Sequence, residues 1–271
     1  MTFRGLTWDH PRGYDALAEA ARQVNANSKD PLITWDKQPL EGFESAPIAE
    51  LAASYDLLVL DHPHIGEAVA EDCLLPFETF YSPRQIASWE QQSIGPAFSS
   101  YSWEGKTYAQ PLDVATQVMA RRGSMLLDAP RSWAEIISLA NDIPVAQSLV
   151  GPHAFLTLLS MVGGQGHLFS ADQLFPDEPA CEALETMALL YERRPSGSEL
   201  MNPIAMLQTM TESKSIALVP LIFGYVTYAR SSLANPLQFS NSIRIANGAG
   251  GVLGGTGIGI SRNCKPSAEL L

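Results

Sequence analysis

The chain has 271 residues, 46% of them hydrophobic, and its 29 acidic side chains against 17 basic ones leave a formal net charge of −12. That balance argues against nucleic acid and anionic membrane surfaces as partners, and no apolar run reaches the ~18 residues that a membrane-inserted helix needs. Cys73, Cys181 and Cys264 are widely spaced and odd in number, so they indicate neither a disulfide framework nor a zinc knuckle.

Phe3 to Thr7 reads as a strand, released into the polar sequence Trp8-Asp-His-Pro-Arg-Gly-Tyr14. Asp15 to Asn27 has helical spacing, with Leu17, Ala20, Ala21 and Val24 on one face. Ile33–Trp35 is a second short strand, and Pro47 to Ser54 a helix opened by proline. Leu57 to Leu60 is an unbroken apolar run of the kind found in a strand covered on both faces. This β-α-β-α-β succession predicts right-handed crossovers and a parallel sheet.

Asp61, His62, Pro63, His64 and Gly66 follow at once, at the carboxyl end of that strand, where open α/β sheets bind ligands. A helix over Gly66–Glu71 would point its N-terminus back at them and favour an anionic or electron-rich group. Three readings stand for Asp61, His62 and His64: ligand hydrogen bonding, a structural role in the loop, or metal ligation with Asp9 or His10. His-Pro-His restricts convergence of the two rings, and no further His/Cys motif completes a metal set.

Pro83–Gln92 reads as a helix and Ser100–Tyr108 as a hairpin around Glu104-Gly105. Tyr108 to Ala120 is a long extended stretch carrying Pro111 and Asp113, suited to crossing between domains. Ser132-Trp-Ala-Glu135 is a capping box for a helix to about Asn141. Helices over His153–Val162 (stopped by Gly163-Gly164), Glu178–Glu192 and Pro203–Glu212 fill the middle third. Ser215–Ile222 is a strand that releases the aromatic cluster Phe223–Tyr228, and Ile243–Ala246 is extended. In Gly248–Ile260 glycines alternate with apolar residues, without a phosphate-binding or dinucleotide fingerprint. These glycines allow close backbone approach, between domains or to a ligand. No nucleophile elbow is present.

Trp8 and Tyr225 each follow a strand directly, so their rings are candidates to stack on a sugar ring or similar face, with Arg12, Asp61 and Asp113 supplying hydrogen bonds; core packing is the competing role.

Taken together, several ordered features resemble the extracellular solute-binding proteins of ABC importers, of the family 1 sugar-binding type. They are Tyr55–Gly66, Tyr108–Met119, Ser132-Trp-Ala-Glu, Gly163-Gly164, Met201-Asn-Pro-Ile204, Pro220–Tyr225 and Gly254–Ser261. The resemblance implies a two-lobed α/β periplasmic-binding-protein-like fold of type II. The first lobe would be 1–110 with 246–271 and the second 111–245, with a hinge near 110–114 and 243–250 that closes on a ligand. Trp8, Asp9, His10, Arg12, Asp61, His62, His64, Asp113, Tyr225, Gly255 and Thr256 would contact it.

The implied activity is non-enzymatic binding of a sugar or related small polar metabolite, with no cofactor and no metal, for delivery to a membrane permease. The implied location is periplasmic or extracellular. The competing class is a metal-dependent or hydrolytic enzyme built on Asp61-His62-Pro63-His64. Two departures from the family are expected. The chain shows no export signal, so as written it would remain cytoplasmic. It also ends at Lys265–Leu271, where the family continues with further helices, so the fold is expected to be C-terminally shortened.

Overall fold

The strand expected at the start of the chain, β1 (Phe3–Trp8), is buried at every position except Arg4 in a computed structural model that describes all residues but Met1, Asn27, Ser28, Leu168 and Ala171. It is followed by α1 (Pro11–Asn25), β2 (Ile33–Gln38), α2 (Leu40–Ser45), α3 (Ile48–Ser54), β3 (Leu57–Asp61), α4 (Ile65–Ala70), β4 (Leu74–Leu75) and α5 (Pro83–Gln92). Then come β5 (Ser102–Trp103), β6 (Lys106–Thr107), β7 (Ala109–Pro111), β8 (Ala115–Arg121), α6 (Trp133–Leu139), α7 (His153–Gly164) and α8 (Asp177–Glu192). The chain ends with α9 (Pro203–Glu212), β9 (Leu218–Phe223), β10 (Gln238–Ser240), β11 (Leu253–Gly254) and β12 (Thr256–Ser261). By its internal contacts it divides into two compact units, Met1–Val114 with Gly254–Leu271, and Ala115–Leu253. The return to the first unit therefore falls at Gly254, later in the chain than 246.

In the first unit the strand order is β2-β1-β3-β12-β4, with β7 also on β12. The expected parallel sheet holds for β1, β2 and β3. β12 runs antiparallel to β3, β4 and β7, so the whole sheet is mixed. β3 shows why an unbroken apolar run is needed: Leu58 and Leu60 pack with Ile48, Ile65 and Tyr101 on one side, while Leu57 packs with Phe3, Ile33 and Phe77 on the other. Successive residues of a strand face opposite sides, and here both sides are covered.

The glycines of β12 have separate reasons. Gly255 sits at φ 115, and a Cβ there would come within 2.8 Å of the Val114 Cα. A Cβ at Gly257 would lie 2.8 Å from the Tyr101 ring. In the second unit β8 is flanked by β9 and β10, both antiparallel, over a core of Met119, Ile136, Leu190 and Leu218. The buried Arg122 guanidinium donates to the carbonyls of Met210 (2.6 Å) and Ser213 (2.7 Å), placing a cation on the unsatisfied end of α9.

Several local expectations are corrected. α1 begins at Pro11 instead of Asp15, because the His10 imidazole caps it by accepting the Arg12 N–H. It ends at Asn25, and the Asn27 expected as its last residue lies outside the described residues. α2 was not expected. Pro47 stands before its helix instead of inside it. The extended stretch from Tyr108 breaks at Leu112–Val114 into β7 and β8, and Ile243–Ala246 forms no strand. Ser132 caps α6 as expected, but Glu135 reaches the Arg131 N–H (2.8 Å) instead of closing the box on Ser132. The hairpin is as anticipated, with Glu104 (φ 48) and Gly105 (φ 77) both left-handed, the requirement of a tight two-residue turn.

Gly257→Val is expected to force the Tyr101 ring aside and lower stability by about 1–3 kcal/mol, read by urea unfolding. Gly250→Ala, which meets nothing within 4 Å, is the matched control and is expected to stay within about 0.5 kcal/mol of wild type.

Candidate functional site

The carboxyl ends of β1 and β3 and the start of β12 bring most of the expected residues to one edge of the first unit's sheet. Asp113 is at their centre. Its Oδ1 accepts the Thr256 backbone N–H (2.6 Å) and hydroxyl (3.1 Å), while its Oδ2 accepts the Nε–H of Arg12 in an ion pair. The two side chains are only 21% and 16% exposed, so water weakens the pair less than it would on an open surface. The carbonyl of Thr256 in turn accepts the N–H groups of Leu112 (2.7 Å) and Asp113 (3.2 Å). Asp61 stands opposite Thr256 in the β3–β12 register.

Tyr101 completes this group, although nothing in its sequence neighbourhood marked it. Its hydroxyl donates to the Gly255 carbonyl (3.0 Å), and its ring meets His62 edge-on at 6.2 Å. Burial raises the pKa of the phenol, helped by the nearby carboxylates of Asp61 and Asp113, so it stays a neutral donor. The His62 pKa is lowered by burial and then by His64, and that of His10 by burial and then by the Arg12 charge. Both imidazoles are therefore neutral at pH 7, leaving Arg12, paired with Asp113, as the cation of this group.

Trp8 does not offer an open ring. Its indole is buried, stacked on His10 at 5.0 Å and 6°, and tilted against Phe43 at 5.9 Å. A Cβ on Gly13 would overlap it, which is why the first turn of α1 carries a glycine. Trp8 thus braces His10 and Arg12 from beneath; the Arg12 Cζ lies 5.7 Å from its ring centre. Asp9 is turned outward to Lys37 (2.6 Å). His64 lies 3.6 Å from Glu67. Tyr225 belongs to the second unit, buried with its ring edge-on to Tyr228 at 6.5 Å.

His62 and His64 therefore turn to different partners, Tyr101 and Glu67. His62 and His64 belong to a single 3-10 turn that runs straight into α4. α4 has six residues, and the Ile65 N–H at its start is already given to the His62 carbonyl. Among the described residues, no three His, Cys, Asp or Glu side chains come together in a way that could hold a metal ion. What the cluster supplies is a set of hydrogen-bond donors and acceptors held on strand ends and a helix start.

Two measurements check this account. A double-mutant cycle of Arg12→Met and Asp113→Asn in urea is expected to give a coupling of about 1–2 kcal/mol. For the histidines the sign follows from linkage: the folded state binds these protons only below the ordinary value of 6.5, whereas the unfolded chain takes them up at that value. The stability they contribute is complete above pH 6.5 and falls as the pH drops below it. Unfolding at pH 7.5 and 5.5 is expected to show this loss, and His62→Gln to reduce it.

Three comparisons place the chain among known proteins. No curated protein sequence matches it. The fold matches the ABC transporter solute binding protein of Agrobacterium radiobacter K84 solved with ribitol, at TM-score 0.79 and 16% identity over 98% of this chain and 72% of that one. Maltose-bound MalE3 of T. maritima gives TM-score 0.79 and 15% identity over 98% and 73%. The GacH receptor of Streptomyces glaucescens GLA.O gives 0.77 and 14% over 97% and 72%. At such identities the likeness is one of fold: two-lobed, α/β and of the periplasmic-binding type. The sequence itself matches the family model of bacterial extracellular solute-binding proteins over residues 21–269, and the chain belongs to that family.

Proposed function

We propose that the protein binds a small polyhydroxylated solute, a sugar or a polyol, at the first-unit cluster around Asp113, and delivers it outside the cytoplasmic membrane to the permease of an ABC transporter. The observation that carries this reading is the Arg12–Asp113–Thr256 network beside His62 and Tyr101. A hydroxyl group both donates and accepts, so it is matched by a carboxylate, a guanidinium and a neutral imidazole fixed side by side. Because Arg12 is already paired with Asp113, the cluster offers no surplus positive charge to a carboxylate or phosphate ligand. The neighbours in fold support the same chemistry: one was solved with ribitol, one with maltose, and the third with acarbose. No helix among the described residues is long and apolar enough to cross a membrane.

Asp61, His62, Asp113 and Thr256 are proposed as the polar contacts. Arg12 is proposed to orient Asp113, and Trp8 and Tyr101 to hold the group in place. Asp9 and His64, turned to Lys37 and Glu67, are proposed as peripheral.

The test is thermal unfolding against separate panels of sugars, polyols, amino acids and organic acids. A ligand present at about 100 times its Kd adds about 2.7 kcal/mol of stability. Sugars or polyols are expected to shift the transition, and Asp113→Ala is expected to weaken the best of them about tenfold or more. A shift with amino acids or organic acids alone would overturn the ligand class. Retention of full affinity in both Asp113→Ala and His62→Ala would overturn the placement of the site.

A further inference from the structure

The first turn of α1 is held by a side chain that titrates. His10 precedes the helix in extended backbone (φ −149, ψ 146), and its Nδ1 accepts the Arg12 N–H at 3.1 Å. A backbone N–H only donates, so Nδ1 must carry a lone pair and the ring proton must sit on Nε2. Ser, Thr or Asn in this place would keep an acceptor oxygen at any pH, whereas an imidazole loses its acceptor on gaining a second proton.

The rest of the turn has its own anchors. The His10 carbonyl accepts the N–H groups of Gly13 and Tyr14, both at 2.9 Å, and the buried Thr7 hydroxyl donates to the Gly13 carbonyl at 2.8 Å. What depends on Nδ1 is the placement of Arg12, and Arg12 is the residue that pairs with Asp113. The imidazole lies flat on Trp8, and the Arg12 guanidinium lies 5.7 Å from the centre of the same indole. A charge gained by His10 therefore appears beside an existing cation. Of the charged groups that face the ring, Arg12 opposes its protonation, and Asp15 and Asp9 each favour it by less. From β2 comes Lys37, paired with Asp9 at 2.6 Å, and from α2 the uncharged ring of Phe43 meets Trp8.

We propose that His10 is an acid switch on the Asp113 cluster: a proton taken from solvent by Nδ1 sets a donor against the Arg12 N–H, the ring leaves the helix start, and Arg12 is released from Asp113. Asp113 then keeps Thr256 but loses the cation that fixes its second oxygen. Under the solute reading given above, on which this consequence rests, affinity for an uncharged sugar or polyol is full at neutral pH and falls on acidification. The proton returns to solvent as the pH rises, so the change is reversible.

The first test needs no solute. In NMR spectra of the wild-type protein, the Arg12 Nε–H signal, identified by its loss in Arg12→Met, is expected at its ion-paired position at pH 7.5. It is expected to move to the free position as His10 titrates, with the same midpoint. His10→Asn keeps a capping acceptor but does not titrate, and its Arg12 signal is expected to stay paired down to pH 5.0. His10→Ser replaces it should His10→Asn fail to fold. In the second test, ribitol and maltose are the probes, because neither titrates in this range. Between pH 7.5 and 5.0 the wild-type protein is expected to lose at least about threefold more affinity than His10→Asn. His62 and the carboxylates are present in both proteins, so the difference belongs to His10.

Three results would overturn the proposal: an Arg12 signal that stays paired through the His10 titration, a signal lost equally in His10→Asn, or equal pH profiles of solute binding in the two proteins. Failure of both ribitol and maltose to bind at any pH would count against the solute reading alone, and the Arg12 signal would still decide the switch.

Discussion

A single carboxylate joins three stretches of the first unit that are far apart in the chain. Asp113 stands just past β7, receives Arg12 from the first turn of α1, and holds the backbone of Thr256 at the start of β12. Each link has a prerequisite nearby. Arg12 is where it is because His10 caps α1 and because Gly13 lets that turn lie flat on Trp8. Thr256 presents its N–H because Gly255 adopts a backbone angle that other residues avoid, and because Tyr101 holds the Gly255 carbonyl. The carboxylate is partly buried, so the order around it rests on charge-assisted hydrogen bonds that water competes for only weakly.

The elements nearest this centre were legible in the sequence where burial alone decides them. Leu57–Leu60 had to be strand because both faces of the sheet are covered, and Glu104-Gly105 had to turn because its neighbours read as paired strands. The position of Asp61 and His62 at a strand end followed directly. The helix start at Pro11 was hidden because a histidine seldom serves as a cap, so the residues after Trp8 read as loop. α2 was hidden because Gly42 and the flanking Pro39 weigh against a helix locally, while packing of Phe43 on Trp8 favours one.

The pairing of Arg12 with Asp113 spans 101 residues, and no local spacing encodes it. Tyr101 shows the same limit. Its importance comes from what β12 brings to it, and its own neighbourhood reads only as the edge of a hairpin. Trp8 illustrates the complementary limit: its sequence neighbourhood left stacking on a solute and core packing both open, and the chain folds His10, Phe43 and Gly13 over the ring. Sequence neighbourhood is therefore a better guide to which strand end a polar residue stands at than to which way its side chain turns.

The placement of β12 has a consequence for how the molecule is made. This strand lies between β3 and β4, and its partner residues run from Thr256 against Asp61 to Ile260 against Leu57. Until Thr256–Ser261 have been synthesised, β3 has an unpaired edge and the core on both of its faces is unfinished. The second unit lies wholly within the earlier chain and meets no such delay. Closing so long a loop makes completion of the first unit a late and slow event. A nascent chain would therefore carry a finished second unit while the sheet of the first still has an open edge, and that interval is when a chaperone would find the first unit unfolded.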